Sequence, residues 1–306
     1  MTAILIDPQI PDNERREVVL GGELVVISPR ATTQALVDFA RELLAEAFAP
    51  YDPTDAQYHM PVERFVELFT PVKPRFIHHP RTRGLLRDIV EDLGCDLDDL
   101  YLDVPRLRGV TSDGYLTSGV GYAHHPHRDT WYSAPMAQLN WWLPIFEFES
   151  VSSMAFHPRY WNEAVQNGSR DFDYYEWNAV GRQDAAKHIR TDLRKQPKAE
   201  ELLELEPQVR IVCPVGGIVL FAAAQMHSTV PNTSGRARFS IDFRTVNRSD
   251  LLDGRQAPNL DSQPTGTSLR DFLRASDGAP LDDDIIAAHD DPGARDGVLV
   301  FKPTTN

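Results

Sequence analysis

Short apolar runs separated by turn residues make up most of the chain after its first hundred residues. The runs are of strand length and rich in β-branched and aromatic side chains, and the Gly216-Gly217 pair marks a tight turn before one of them. A succession of short strands is typical of closed antiparallel architectures, so we predict a jelly-roll barrel. The predicted strands span residues 101–110, 119–125, 137–144, 153–157, 209–213, 218–223 and 238–246.

The first hundred residues carry a helical pattern instead. Residues 32–48 place apolar side chains at helical spacing, with Thr32 or Thr33 as the candidate N-cap. Residues 61–69 and 81–93 are further helix candidates. We expect these helices to pack on the sheet, which makes the fold class mixed α+β with a mainly β core.

A set of potential metal ligands lies within the strand-rich part. His127 and Asp129 flank one residue, so on a β-strand both side chains point to the same face. His227 would have to arrive from a distant strand. Two imidazoles and one carboxylate on one side of a metal leave other positions open, as in non-haem Fe(II) oxygenases, although zinc could bind the same set. His124 and His125 are rival ligands, and a pair of His125 with His127 would lack the carboxylate.

The strand after His227 carries a candidate carboxylate-binding site. Arg238 and Ser240 share one face of an alternating strand, and a guanidinium matches a carboxylate with two parallel hydrogen bonds. A metal-chelating 2-oxo acid with a carboxylate at its far end would need such an anchor. Arg236 and Arg244 share the same parity and compete for this role, and Arg236, being nearer the turn, ranks second.

Together these motifs resemble the Fe(II)/2-oxoglutarate-dependent dioxygenases, and within them the phytanoyl-CoA dioxygenase-like branch. The resemblance covers roughly residues 102–245, and its motifs lie at residues 127–129, 138–144, 153–158, 227–232 and 238–240. It implies a double-stranded β-helix, the cupin-like form of the jelly roll. It also implies iron ligation and catalysis by His127, Asp129 and His227, and 2-oxoglutarate binding by four residues: Arg238, Ser240, Asn140 and Thr130.

The resemblance further implies hydroxylation of an unactivated C–H bond with O₂, releasing succinate and CO₂, or desaturation or ring formation by the same chemistry. Related halogenases have a small residue in place of the carboxylate, so Asp129 argues against halogenation. A small polar metabolite or natural-product intermediate is the expected substrate. The alternatives are a metal-dependent cupin-like isomerase or lyase, a 2-oxoglutarate-independent iron oxidase, and a binding protein without catalysis.

Several residues beside the predicted site are candidate substrate contacts. Trp131 shares the strand parity of His127 and Asp129, whereas Trp141 has the opposite parity to Asn140 and is expected in the outer core. His157 follows a predicted strand. Arg106 and Arg108 share one strand face, where they either pair with acidic residues or recognise an anionic or zwitterionic substrate.

Two segments depart from the family pattern. Residues 160–207 form an insertion with a predicted helix at 183–194, and it is either a solvated excursion or a lid. In a lid, the pocket would be bordered by Tyr174, Tyr175 and Trp177. Residues 249–306 are rich in Asp, Pro and Gly, and we expect this extension to wrap the surface or to form an interface, for example in a homodimer.

Length and composition suit one catalytic domain over residues 1–306, with a helical part at 1–100, the jelly-roll core at 101–248 and the extension at 249–306. The formal charge of -14 disfavours nucleic acid and anionic membranes as partners. Cys95 and Cys213 form no CxxC motif and are expected to be buried thiols. The sequence shows neither a secretory signal nor a membrane-spanning apolar run, so we predict a cytoplasmic protein.

Overall fold

The computed structural model describes residues 2–120, 124–181, 194 and 196–290. Two β-sheets form its centre, and both contribute side chains to one large cavity. The strands of the larger sheet are β1 (Ile4–Ile6), β2 (Leu24–Ile27), β3 (Leu100–Leu102), β4 (Arg106–Val110), β5 (Leu139–Pro144), β8 (Ile218–Ala222), β10 (Arg238–Asn247) and β11 (Leu273–Arg274). The smaller sheet consists of β6 (Met154–Phe156), β7 (Val209–Arg210) and β9 (His227–Thr229).

The larger sheet has the order β1-β2-β8-β5-β10-β3-β11, with β4 also paired to β10. Its pairs are antiparallel except β1 with β2. The smaller sheet has the order β7-β6-β9 and is antiparallel. The register places Ser240 of β10 opposite Arg108 of β4 and Arg244 of β10 opposite Asn140 of β5. Alternate residues of β10, among them Ser240 and Arg244, therefore lie beside polar residues of the neighbouring strands β4 and β5.

The helices are α1 (Asp12–Leu20), α2 (Ala31–Phe48), α3 (Val62–His78), α4 (Pro80–Asp92), α5 (Tyr174–Glu176), α6 (Arg248–Asp253) and α7 (Asp283–Ala288). The prediction that residues 32–48 form a helix packed on the sheet is confirmed, because the apolar face of α2 lies in the main hydrophobic core. Its N-cap is Arg30 and not Thr32 or Thr33. The Thr33 hydroxyl instead accepts a hydrogen bond from the Arg30 backbone N–H at 2.9 Å.

Helix α3 is longer than predicted and continues through Pro71 and Pro74 to His78. Each proline removes a backbone donor, so a helix of this length needs support from packing. That support comes from its buried apolar face, where Phe69 meets Phe239 of β10 edge to face with ring centroids 5.5 Å apart. Helix α3 thus covers the sheet beside β4 and β10 and positions one wall of the cavity.

Two strand predictions need correction. The predicted strand 101–110 is divided into β3 and β4, because Pro105 has no backbone N–H to offer a neighbour and the Asp103 carboxylate accepts from the Val104 N–H. The predicted strand 119–125 includes residues 121–123, which lie outside the described residues, and its described positions are not in a strand. The remaining predicted strands are confirmed, with β7 shorter than expected.

The C-terminal extension wraps the protein over its described part, residues 249–290. Strand β11 pairs with β3 at the edge of the larger sheet, and Leu269, Phe272 and Ile285 form a second core with Tyr101. The mixed fold with a large, mainly β sheet agrees with the predicted class. No helix in the described ranges is both long and apolar enough to cross a membrane.

Candidate metal centre

His127, Asp129 and His227 converge at one end of the cavity. One potential ligand atom from each lies within 4.8 Å of the other two, and all three side chains are buried. The Asp129 Oδ1 lies 3.4 Å from His127 Nε2 and 4.0 Å from His227 Nε2. The two histidines exchange backbone hydrogen bonds of 2.9 and 3.0 Å, which brings their ring centroids to 4.4 Å. The predicted triad is therefore brought together by a single pairing between distant segments.

The local backbone differs from the predicted strand. His127 is in an isolated β-bridge with His227, but Asp129 begins a 3₁₀ turn, Asp129–Tyr132, and its N–H donates to the Ala223 carbonyl at 2.9 Å. Strand parity is therefore not what places His127 and Asp129 together. In a 3₁₀ turn, residues three apart share a face, so Tyr132 and not Trp131 follows Asp129 toward the cavity.

In both histidines, the hydrogen bond made by Nδ1 determines that Nε2 is the ring atom facing Asp129. His127 Nδ1 lies 2.8 Å from the His125 carbonyl, and His227 Nδ1 lies 2.9 Å from the Gln225 carbonyl. A carbonyl oxygen can only accept, so each Nδ1 carries the proton and donates it. The Nε2 lone pairs are thereby left directed at the triad, which is the usual arrangement of histidine metal ligands.

Charge at the triad favours a cation. Burial, together with neighbouring His127, lowers the pKa of His227 to about 4, so its ring is neutral at neutral pH. Burial opposes ionisation of Asp129, but Arg244 and the two imidazoles outweigh it and hold the Asp129 pKa well below its ordinary value. Arg244 Nη2 lies 3.2 Å from Asp129 Oδ2, while Oδ1 faces the histidines. Asp129 and His227 thus favour the carboxylate and the neutral imidazole, the forms in which these side chains bind a metal.

Arg128, between the two ligands, anchors this segment to the C-terminal extension. Its buried guanidinium pairs with Asp261 at 3.0 Å and donates to the carbonyls of Ala224, Tyr160 and Glu163. Asp261 was missed from the sequence. A buried arginine needs a carboxylate partner, but nothing local to Arg128 identifies which of 45 acidic residues it will be.

The cavity beside the triad has a volume of about 440 Å³, a size suited to a small molecule. Arg238, Ser240 and Asn140, three of the predicted cosubstrate-binding residues, line it. Arg238 Nη1 donates to Ser240 Oγ at 3.0 Å, and its guanidinium carbon lies 5.4 Å from the centre of the Trp142 ring. Both side chains of the predicted carboxylate-binding pair therefore face the same space as the triad.

Arg238 is buried without a carboxylate partner in the described part of the chain. Burial lowers its pKa to about 10, which still leaves it charged at neutral pH. Its Nε has no hydrogen-bond partner among the described residues, and neither has Asn140 Nδ2. A buried cation and two idle donors in one cavity fit an anionic guest, because such groups are costly to bury unless they are compensated.

The two rival arginines lie elsewhere or are already paired. Arg236, ranked second for the clamp, is exposed and donates to Thr54 Oγ1 at 2.7 Å, outside the cavity. That ranking is wrong because residue 236 precedes β10 and belongs to the turn. Arg244 does line the cavity, but its guanidinium faces Asp129 and Asp103.

Three predicted contacts lie outside the cavity lining. Thr130 Oγ1 shares a 2.7 Å hydrogen bond with Ser262 Oγ, and the fully buried Trp131 donates from Nε1 to Asp261 at 2.8 Å. His157 Nε2 is 2.9 Å from Ser228 Oγ. Their predicted placement at the pocket is therefore wrong. The 3₁₀ turn rotates residues 130 and 131 toward the C-terminal extension, and the His157 ring is directed at Ser228 of the smaller sheet. Trp141, predicted in the outer core, is in the main core and also lines the cavity.

Aromatic residues line the cavity around the triad. Tyr132 packs edge to face on His127 with centroids 5.6 Å apart, and Tyr174 and Trp177 of the insertion also line the space. Tyr175 turns away and donates to Asp290 at 2.6 Å. The predicted helix 183–194 lies outside the described residues except for Arg194.

The rival ligands and the remaining arginines can also be placed. His125 Nε2 lies 2.9 Å from the Pro197 carbonyl, and His124 lines the cavity, but neither belongs to the ligand group found among the described residues. Arg106 and Arg108 both line the cavity. Cys95 and Cys213 are free and buried, as predicted.

No family model matches the chain, and no curated protein matches it. Among solved structures, EvdO2 from Micromonospora carbonacea var. aurantiaca aligns at 13% identity over 79% of this chain and 93% of its own, with a TM-score of 0.46. The non-heme alpha ketoglutarate dependent epimerase SnoN, from nogalamycin biosynthesis, aligns at 15% identity over 90% of this chain and 98% of its own, with a TM-score of 0.38. The non-heme alpha ketoglutarate dependent carbocyclase SnoK, also from nogalamycin biosynthesis, aligns at 14% identity over 90% of this chain and 95% of its own, with a TM-score of 0.40. Similarity of this degree is low, so the function of this chain has to be inferred from its own residues.

Proposed function

We propose that the chain is a non-haem Fe(II)- and 2-oxoglutarate-dependent oxygenase in which His127, Asp129 and His227 hold the iron. The observation that carries the proposal is the opening of this triad and of the buried Arg238–Ser240 pair into one cavity. We further propose that the two sheets form a double-stranded β-helix of the phytanoyl-CoA dioxygenase-like branch and that residues 1–306 constitute one catalytic domain.

The residues present fit both cofactors. Two imidazoles and one carboxylate suit Fe(II) and leave coordination positions for a bidentate ligand and O₂. Arg238 and Ser240 would bind the far carboxylate of 2-oxoglutarate, and Asn140 Nδ2 offers a further donor in the same space. Bound together, Fe(II) and 2-oxoglutarate supply the oxidation of an unactivated C–H bond by O₂, with release of succinate and CO₂.

The chain's own residues would orient these groups and limit side reactions. Arg244 holds Asp129 through Oδ2, so Oδ1 remains directed at the metal position. Tyr132, Tyr174 and Trp177 line the cavity with aromatic surface and reduce the room for water near the site. Hydroxylation is the proposed reaction, since Asp129 occupies the position that a halide would need, and desaturation or ring formation would use the same residues.

The alternatives are less consistent with the buried clamp. A cupin-like isomerase or lyase, or an iron oxidase independent of 2-oxoglutarate, does not require the buried Arg238, which lacks a carboxylate partner among the described residues. A binding protein without catalysis does not require two imidazoles and a carboxylate buried within ligand distance of one another.

The proposal is tested by oxygen-dependent turnover of the cosubstrate. We expect purified protein with Fe(II) and 2-oxoglutarate to release succinate in air, because oxidative decarboxylation of the cosubstrate by O₂ forms one succinate and one CO₂. Asp129→Ala should abolish the release, and the exposed His59→Ala should retain it. Iron-loaded wild-type protein that releases no succinate would contradict the proposed activity.

A further inference from the structure

The wall of the cavity formed by α3 and β4 carries three cationic side chains, Lys73, Arg106 and Arg108, which we call the basic wall. The register of β4 on β10 places Arg108 opposite Ser240 and Arg106 opposite Asp242. The basic wall is therefore next to the proposed cosubstrate clamp but on the other side of β10 from Asn140 and Trp142 of β5. A ligand of the basic wall would be the substrate of that same site, so its identification rests on the proposed function.

Positive charge exceeds negative charge among the described residues lining the cavity. The cationic side chains are six, namely Lys73, Arg106, Arg108, Arg194, Arg238 and Arg244, whereas the carboxylates are two, Asp129 and Asp242. Asp103, behind the lining, adds one more carboxylate. In a chain with a formal charge of -14, this local excess is not a consequence of composition. A neutral iron–cosubstrate pair, Fe²⁺ with the 2-oxoglutarate dianion, would leave the excess unchanged.

The carboxylates in and behind the cavity lining are already paired with arginines. Arg108 binds Asp242 through Nε at 2.8 Å and through Nη2 at 3.4 Å. Arg106 pairs with Asp103 at 2.8 Å, and Arg244 approaches the same carboxylate oxygen at 3.5 Å. Arg244 also neutralises Asp129. None of these acids is left to balance Lys73.

Lys73 is the least compensated of the three. Its ammonium donates to the Val120 carbonyl at 2.7 Å and lies 5.0 Å from the centre of the Phe69 ring, and no carboxylate of the described residues forms an ion pair with it. Burial lowers its pKa to about 7, and the charge of Arg108 adds to the effect. Burial of an ammonium group without a carboxylate partner is unfavourable, and an anion bound beside Lys73 would offset that cost.

We propose that the substrate carries an anionic oxygen group, a carboxylate or a phosphate, and that Lys73 and Arg108 bind it at the basic wall. The group would anchor the substrate at the side of the cavity formed by α3 and β4, while the carbon to be oxidised extends toward His127, Asp129 and His227. Substrate and cosubstrate would then use different arginines, Arg108 of β4 and Arg238 of β10.

The test uses acetate as the probe for a carboxylate and sulfate as the probe for a tetrahedral oxyanion, because phosphate precipitates Fe(II). Each is titrated calorimetrically into anaerobic protein saturated with Fe(II) and 2-oxoglutarate. The variants are Lys73→Met, Lys73→Arg and Arg64→Met, the last removing an exposed charge from the same helix. The visible metal-to-ligand charge-transfer band of each sample reports the cosubstrate complex.

We expect one anion per chain in the wild type and in Arg64→Met, about tenfold or greater weakening in Lys73→Met, and affinity near that of the wild type in Lys73→Arg. The tighter probe identifies the chemistry of the substrate group. Equal affinity in Lys73→Met, or no saturable binding of either probe to the wild type, would overturn the inference. If an anion binds in a Lys73-dependent manner but the band is absent, the basic wall is supported and the iron–cosubstrate proposal is contradicted.

Discussion

The two ends of the cavity differ in how their polar groups are satisfied. At the triad, the second nitrogen of each histidine and the second oxygen of Asp129 are bound by protein groups, so unshared electron pairs face the cavity. At the basic wall, charged donors outnumber the carboxylates available to them. One end is therefore complementary to a cation and the other to an anion, and a substrate with one anionic group could enter in only one orientation.

Loss of a triad ligand should have the largest effect. We expect His227→Ala to abolish Fe(II) binding, because the two remaining ligands would hold the metal from one short segment only. His59→Ala, at an exposed histidine, is the matched control. Equilibrium dialysis with Fe(II) measures the effect, and retained stoichiometric iron in His227→Ala would show that the metal lies elsewhere.

The Arg128–Asp261 pair ties the triad end to the C-terminal extension, whereas no ion pair joins the basic wall to the described residues 249–290. Asp261→Ala leaves the Arg128 guanidinium buried without its carboxylate, so we expect a loss of about 3–5 kcal/mol in the free energy of unfolding. Iron affinity should fall as well, because residues 127–131 lose their anchor. Urea unfolding and iron titration of Asp261→Ala and of the exposed Asp253→Ala test this. Identical unfolding curves would remove the structural role given to Asp261.

Removal of the clamp should weaken the binding of 2-oxoglutarate without weakening the binding of Fe(II). In Arg238→Met we expect 2-oxoglutarate affinity to fall about a hundredfold with Fe(II) binding retained, since two charge-assisted hydrogen bonds are lost. Ser240→Ala should cost about tenfold or less. Arg236→Met, two residues earlier and exposed, is the control. Unchanged cosubstrate affinity in Arg238→Met, measured by anaerobic titration, would show that the clamp assignment is wrong.

The pH dependence of anion binding at the basic wall is limited to the contribution of the Lys73 charge. Lys73 is charged below its pKa of about 7 and loses that charge as the pH rises through it. Arg108 and Arg194 oppose the charged form, and Asp242 favours it. Affinity for acetate or sulfate should therefore fall by up to about tenfold per pH unit above 7 and level off once the bound form also deprotonates. Lys73→Met should show a flat profile, and a sloping profile in that variant would assign the titration to another group.

The sequence predicted the residues of the site better than their geometry. The apolar spacing in residues 32–48 and the alternation in residues 236–244 identify α2 and β10, because both patterns are local. Arg238, ranked above Arg236 on type and spacing, lines the cavity, whereas Arg236 does not. The burial of the Arg238 side chain could not be predicted from the sequence, since it depends on the pairing of β10 with β4 and β5.

The 3₁₀ turn at Asp129–Tyr132 explains most of the misplaced contacts. It is supported by a tertiary hydrogen bond from Asp129 to Ala223, so no pattern within residues 127–132 distinguishes it from a strand. Strand parity therefore favoured Trp131 and overlooked Tyr132. The Arg128–Asp261 pair was invisible for a similar reason, because it joins residues 133 positions apart.

The most direct test of the proposed function is an anaerobic titration of the Fe(II)-loaded protein with 2-oxoglutarate, following the visible metal-to-ligand charge-transfer band in the wild type and in His227→Ala. We expect a saturable band with one cosubstrate per chain in the wild type and none in the variant. Iron bound at the triad without a band at any 2-oxoglutarate concentration would contradict the proposed function.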